Sequence, residues 1–189
     1  MKNVLQARSD IYDQFHRSTA GSAHFFLVPN ADAYAAYYTS MYLIQDTGGA
    51  VFSHMARDFS EDPMLAYVEF WGVLQAVVIQ QDAIIEIHRV VVGSGPQIGG
   101  ESPWMKLRDF RNLCAGHPAN RQHGVLAPQR TFMGRSFGNY DDLMYELWDA
   151  TTGKTTHPVV NLRQMINDYD VQAGGILRCV LASMRARWP

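Results

Sequence analysis

The chain has 189 residues, 47% of them hydrophobic and 18% charged, with a formal net charge of -2 and a mean hydropathy of -0.17. That is enough apolar material for one domain, residues 1–189, to bury a core without disulfide or metal staples, and it excludes a disordered or fibrous chain. The near-neutral balance also excludes a uniformly polyanion-binding surface, although it leaves room for a local field.

The first element is a helix over residues 3–17, with Leu5, Tyr12 and Phe15 at roughly helical spacing. Residues 18–29 read as a loop whose Phe25, Phe26 and Leu27 tuck onto the body. Asn30 or Asp32 can cap a second helix carrying Tyr34, Tyr38, Met41, Phe52, Met55 and Phe59, and the register continues through Gly48-Gly49. The tyrosines Tyr34, Tyr37, Tyr38 and Tyr42 read as packing groups rather than a stacking platform.

Ser60-Glu61-Asp62-Pro63 is an N-terminal signal for a third helix running to about Val92, roughly 45 Å at 1.5 Å per residue. One stripe on it reads Val68, Trp71, Gln75, Val78, Asp82, Ile85, Arg89, Val92. Its polar positions, among them Glu69, Gln80, Gln81, Asp82 and Glu86, argue against a membrane span. Asp82 stands out, because a carboxylate on a buried stripe is costly unless paired, and Arg108 or Arg111 is the expected partner. After a Gly/Ser/Pro-rich loop, a helix over residues 104–115 carries Arg108, Arg111 and Cys114.

Beyond a loop at 120–128 the periodicity turns from helical to alternating. Segments 131–133, 143–148 and 155–160 suggest a small antiparallel meander, an accessory at 129–160. A last helix, Leu162–Arg185, places Leu162, Ile166, Tyr169, Ala173, Ile176, Val180 and Met184 on one face. The expected fold is therefore mainly α, an up-and-down helical bundle with a β-meander inserted before the C-terminal helix. Cys114 and Cys179 have no metal-ligand spacing and read as reduced core thiols. With no apolar leader after Met1-Lys2, the expectation is a cytoplasmic protein with no membrane association.

Chemistry concentrates in Arg108-Asp109-Phe110-Arg111-Asn112-Leu113-Cys114-Ala115-Gly116-His117-Pro118. Gly116 and Pro118 are stop signals, the glycine through a left-handed closure, so His117 falls just past the last turn. The negative end of the helix dipole favours the protonated form of an imidazole placed there. Between Trp104 and Arg135 six basic residues, Arg121 and Arg130 among them, face a single acid, Asp109. His16, His24, His54, His88, His123 and His157 show no ligand spacing and read as surface or satisfied core histidines, and no metal or cofactor motif is present.

This run resembles the motif of HEPN domains: an arginine, a polar residue directly after it, and a histidine following with four to six residues between. Arg111, Asn112 and His117 match it, and Gln80-Gln81-Asp82-Ala83 on the preceding helix resembles the corresponding stretch of such proteins. The resemblance covers mainly residues 31–118. It implies a metal-independent endoribonuclease, toxin- or antiphage-like, with Arg111 as phosphate clamp, Asn112 as positioning amide and His117 as proton-transfer group. It also implies Asp82 and Arg108 as supporting residues, Arg121 as a substrate contact, and a homodimer across the motif helix with RNA as substrate. A subtype paired with a nucleotidyltransferase antitoxin carries a tyrosine two residues after the histidine. Here that position is Ala119, so regulation through that tyrosine is not implied, and the antitoxin or partner protein is left open. The alternative is a non-catalytic HEPN-like helical module that binds nucleotide, RNA or a partner protein. In that case Arg111 serves only to satisfy a buried carboxylate, and His117 caps its helix.

Overall fold

A computed structural model describes residues 1–26, 30–119 and 129–189, with only the backbone of Phe26. The described residues form α1 (Lys2–Arg17), α2 (Thr19–Phe26), α3 (Ala31–Arg57), α4 (Pro63–Val92), α5 (Pro103–Arg111) and α6 (Leu162–Arg187). Strands β1 (Gln129–Phe132), β2 (Leu143–Met144), β3 (Glu146–Asp149), β4 (Lys154–Thr156) and β5 (Val159–Val160) precede α6. This is the mainly helical bundle with a β insertion that the periodicity predicts.

α4 is the central element, packed against α3, α6 and α5. Its start follows from sequence: the Asp62 carboxylate accepts from the N–H groups of Met64 (2.8 Å) and Leu65 (3.3 Å), and Pro63 occupies the first turn. Its end is set by Gly93, whose φ of 93° lies in the left-handed region. By length and composition α4 would suffice to cross a membrane. Here its inner face, with Phe70, Leu74, Ile84, Ile87 and Val91 at 0% exposure or close to it, is covered by the neighbouring helices. Each such side chain contributes about 1.5–3 kcal/mol of burial.

The inner face is not the stripe expected from sequence. Val68, Trp71, Gln75 and Asp82 lie on the outer side, with Val68 62% and Trp71 45% exposed. Two adjacent amides explain the displacement. Gln80 and Gln81 are fully buried, so the core-facing side of α4 carries two amides. Gln80 donates to Ile44 O and Thr47 Oγ1 (both 3.3 Å) and accepts from the Tyr169 hydroxyl (3.0 Å), tying α3, α4 and α6 together. An amide whose bonds are all made inside the core is no burden there.

Similar shifts occur elsewhere. α3 runs through Gly48-Gly49 as expected, but it buries Tyr37, Met41, Ile44 and Val51 while Tyr38 and Tyr42 stand half exposed, outside the packing role expected of them. α1 buries Val4, Ala7, Ile11 and Phe15 instead of Tyr12. Residues 19–26, expected as loop, form α2, with Phe25 buried as anticipated. α6 follows its predicted face closely, with Leu162, Ile166, Tyr169, Ala173, Val180 and Met184 all at 0% exposure. Gly174 on α6 marks a close approach: a Cβ there would stand 2.7 Å from Asn3 Cβ. The adjacent Asp170 carboxylate accepts from the N–H groups of Asn3 and Val4 (3.0 Å each), capping α1 from across the interface.

The β insertion divides into an antiparallel sheet ordered β1-β3-β4 and a separate β2-β5 pair. The expected strand 143–148 breaks at Tyr145, which turns inward. Phe137, Tyr140 and Leu143 are buried against the bundle, and Tyr140 stacks on Phe59 at 4.5 Å. The insertion thereby shares the helical core.

Candidate functional site

α5 is held rigidly where it meets the bundle. The Ser102 hydroxyl caps it, and Trp104 is buried, donating its N–H to Gln172 Oε1 (2.8 Å) and accepting from Gln81 Nε2 at its carbonyl (3.0 Å). After Arg111 the backbone widens into a five-residue π turn, Asn112–Gly116, closed by the His117 N–H donating to Asn112 O at 2.8 Å. Such turns are uncommon and frequently accompany functional sites.

The π turn replaces the left-handed closure expected at Gly116, which has no positive φ. Gly116 instead makes room for the Arg111 side chain. A Cβ at this position would stand 2.8 Å from Arg111 Nη1, so the arginine head folds directly over the residue preceding His117. Arg111 and His117, which a continuous helix would point apart, thus share one end of the helix.

Two oxygens fix the Arg111 guanidinium. Nη1 donates to Asn112 Oδ1 at 3.0 Å and Nη2 to Gln75 Oε1 at 2.6 Å, while Nε is buried without a partner. Both acceptors are neutral amides, so they immobilise the cation without cancelling its charge. His117 itself is exposed to solvent. The chain on either side of it is stapled to β1: Thr131 N–H donates to Pro118 O (2.9 Å), and Thr131 Oγ1 donates to Leu113 O (2.5 Å).

The other expected site residues divide. Asp82 pairs with Arg108 at 2.9 Å, and Gln81 Oε1 accepts from the same guanidinium at 3.3 Å. Asp82 is 60% exposed at its side chain and therefore not a carboxylate stranded on a buried stripe. A pair this open is worth about 0–1 kcal/mol. Asp82 holds Arg108, and Arg111 is held by Gln75 of α4 together with Asn112. Arg121 and His123 lie outside the described residues. Cys114 is buried in the π turn, and burial pushes its thiol up to about 12, while Cys179, expected in the core, is exposed.

Sequence reasoning missed the roles of Gln75 and Thr131, and it gave Gly116 a left-handed closure in place of its close approach to Arg111. Gln75 was visible as a polar member of the outer stripe, two helical turns before Asp82 on the same face. Gly116 and Thr131 act through backbone proximity, which leaves no pattern in a single sequence.

A second polar cluster joins the end of α3 to α4 and the insertion. His54 Nδ1 lies 2.7 Å from the Tyr140 hydroxyl and its Nε2 3.4 Å from Glu69 Oε2, while Arg57 donates to Glu69 Oε1 at 2.7 Å and Ser60 N–H to Oε2 at 2.7 Å. Burial and the Arg57 charge hold His54 below the ordinary histidine range, against the pull of Glu69. For Glu69, burial pushes upward, but the bonds from Arg57 and Ser60 together with the charges of Arg57 and His54 prevail and lower it. Among the described residues, no group of three or more His, Cys, Asp or Glu is placed to hold a metal ion.

Comparisons with protein-family models, curated proteins and solved structures find no match to this chain.

Proposed function

We propose that the protein is a metal-independent endoribonuclease of HEPN type, toxin- or antiphage-like in role, acting as a homodimer across the motif helix. The observation that carries this reading is the Arg111 guanidinium, fixed by two neutral amide oxygens and folded over Gly116 beside the solvent-facing His117.

In this mechanism a neutral His117 accepts the proton of a ribose 2′-hydroxyl. The freed oxygen attacks the adjacent phosphorus, and the O5′–P bond breaks. The departing O5′ receives a proton from the second copy of His117 in its imidazolium form. The products are a 2′,3′-cyclic phosphate and a 5′-hydroxyl, with no change in oxidation state. Arg111 stabilises the charge that accumulates on the non-bridging oxygens, and an arginine that needs no reorganisation is suited to that task. Asn112 positions Arg111, and Arg108, steadied by Asp82 and Gln81, adds a second cation on the same helix. Arg121 is assigned a substrate contact on sequence grounds.

The test is purified protein with RNA in EDTA. The expected result is cleavage that is lost in His117→Ala and Arg111→Ala while both variants melt as the wild type does. Unchanged cleavage in those variants removes the proposal.

One observation favours a second reading, a non-catalytic HEPN-like helical module that binds nucleotide, RNA or a partner protein. Both terminal nitrogens of Arg111 already have protein acceptors, as a purely architectural arginine would. This reading expects no cleavage by the wild type, and a lower melting temperature in His117→Ala with binding unaltered.

A further inference from the structure

A cavity of about 650 Å³ forms a groove between the first turns of α4 and the strand β1. Its walls are Tyr67, Val68 and Trp71 on one side and Phe132 on the other, and its floor reaches Cys114 and Pro118 of the motif. These walls are open to solvent: Trp71 is 45%, Phe132 61% and Val68 62% exposed. A volume of this size falls within the usual range for small-ligand sites, about 300–1,000 Å³.

We propose that this groove receives a base of single-stranded RNA, stacked on Trp71, next to the phosphodiester that Arg111 and His117 engage. The inference rests on the ribonuclease reading and adds to it a base-stacking subsite built from Trp71 and the residues around it. Three features carry it. The groove reaches the motif at Cys114 and at Pro118, the residue directly after His117. Its aromatic wall is preformed, since the Tyr67 and Trp71 rings already pack edge-on at 5.5 Å, leaving indole surface free for a flat ring. Cations flank it: Arg135 lines it close enough to Tyr67 to act on that phenol, and Gln75, one turn beyond Trp71 on α4, holds Arg111. An apolar slot with guanidinium groups at its margins matches a nucleotide, which is a flat ring joined to an anion. An apolar peptide would leave those charges uncompensated. A base in a duplex cannot enter such a slot without unpairing, which is the source of the single-strand preference.

The experiment uses a short dye-labelled 2′-O-methyl oligonucleotide, which cannot cleave itself, titrated in EDTA and followed by the fluorescence anisotropy of the dye. An abasic residue is moved along the oligomer one position at a time. The expected result is one position at which losing the base weakens binding about tenfold. Trp71→Ala should weaken the intact oligomer by a similar factor and abolish the abasic effect, while Trp71→Phe retains both. A flat abasic scan, or wild-type binding by Trp71→Ala, overturns the groove assignment. So does a Trp71→Ala or Phe132→Ser variant that changes only the oligomeric state, since the groove would then hold a second copy of the chain. Because the probe is uncleavable, a positional abasic effect in a protein that cleaves no RNA would overturn the nuclease reading alone. A protein that binds no oligomer overturns both.

Discussion

Gln80 and Gln75 lie on the same helix, and the contrast between them separates what holds this protein together from what it presents. Gln80 is fully buried and its three bonds run to α3 and α6, so the amide closes a network that no solvent reaches. Gln75 is exposed and makes one short bond, to an arginine whose charge it leaves intact. The same functional group serves structure in one place and positioning in the other, and the difference is whether its partner is neutral and enclosed or charged and at the surface.

The largest effect on stability should come from the enclosed amide. Gln80→Leu would leave Tyr169, Thr47 and the Ile44 carbonyl without that partner, at a cost of about 2–4 kcal/mol. Chemical denaturation reads this, and the cleavage rate of the folded fraction should stay unchanged. Gln75→Leu should do the reverse: wild-type unfolding, with cleavage reduced about 10–100-fold as Arg111 loses its anchor, or about 1.4–2.7 kcal/mol of transition-state stabilisation. If both substitutions affected stability alone, the contrast would collapse.

Gly116→Ala sharpens the same contrast at the motif. The added methyl group competes with Arg111 Nη1 for space, so we expect activity to fall about tenfold and Arg111→Ala to mask that loss, because the displaced group is then absent. Equal losses in both backgrounds would mean that Gly116 matters for the π turn and not for the arginine.

The smallest effect concerns acid. His54 and Glu69 both have folded-state values below their ordinary ones, so on acidification the unfolded chain takes up protons before the folded one does. Their contribution is complete above the ordinary histidine value of 6.5. It declines as the pH falls below that value, and again through the carboxylate range. Melting temperatures measured across this window should show both declines, and His54→Gln should remove the upper one and keep the lower.

These contrasts also explain what could be read from the sequence. α6 was legible because its apolar face is continuous, and the start of α4 because Asp62-Pro63 is a local signal that needs no partner. The inner face of α4 was not, since two fully buried glutamines interrupt its apolar pattern and a second stripe, through Val68, Trp71 and Asp82, has the same helical period. At the motif, the spacing puts Arg111, Asn112 and His117 at one helix end, and the structure bonds Arg111 to Asn112 and folds it over Gly116. The π turn was not legible, because it is set by tertiary anchors on both sides, Trp104 to α4 and α6, and Thr131 to the residues flanking His117. The division of labour between Arg108 and Arg111 was hidden for the same reason: it depends on which polar residue of α4 each one meets.

The most direct test of the central claim, that Arg111 and His117 together promote attack by a ribose hydroxyl, is a matched pair of substrates in EDTA. One is an all-ribose oligonucleotide, and the other carries a single 2′-deoxy residue on the 5′ side of the cleaved bond. The account predicts cleavage of the first to a cyclic phosphate and a 5′-hydroxyl, and an intact bond in the second. Cleavage of the deoxy bond, or a 5′-phosphate product, would contradict it.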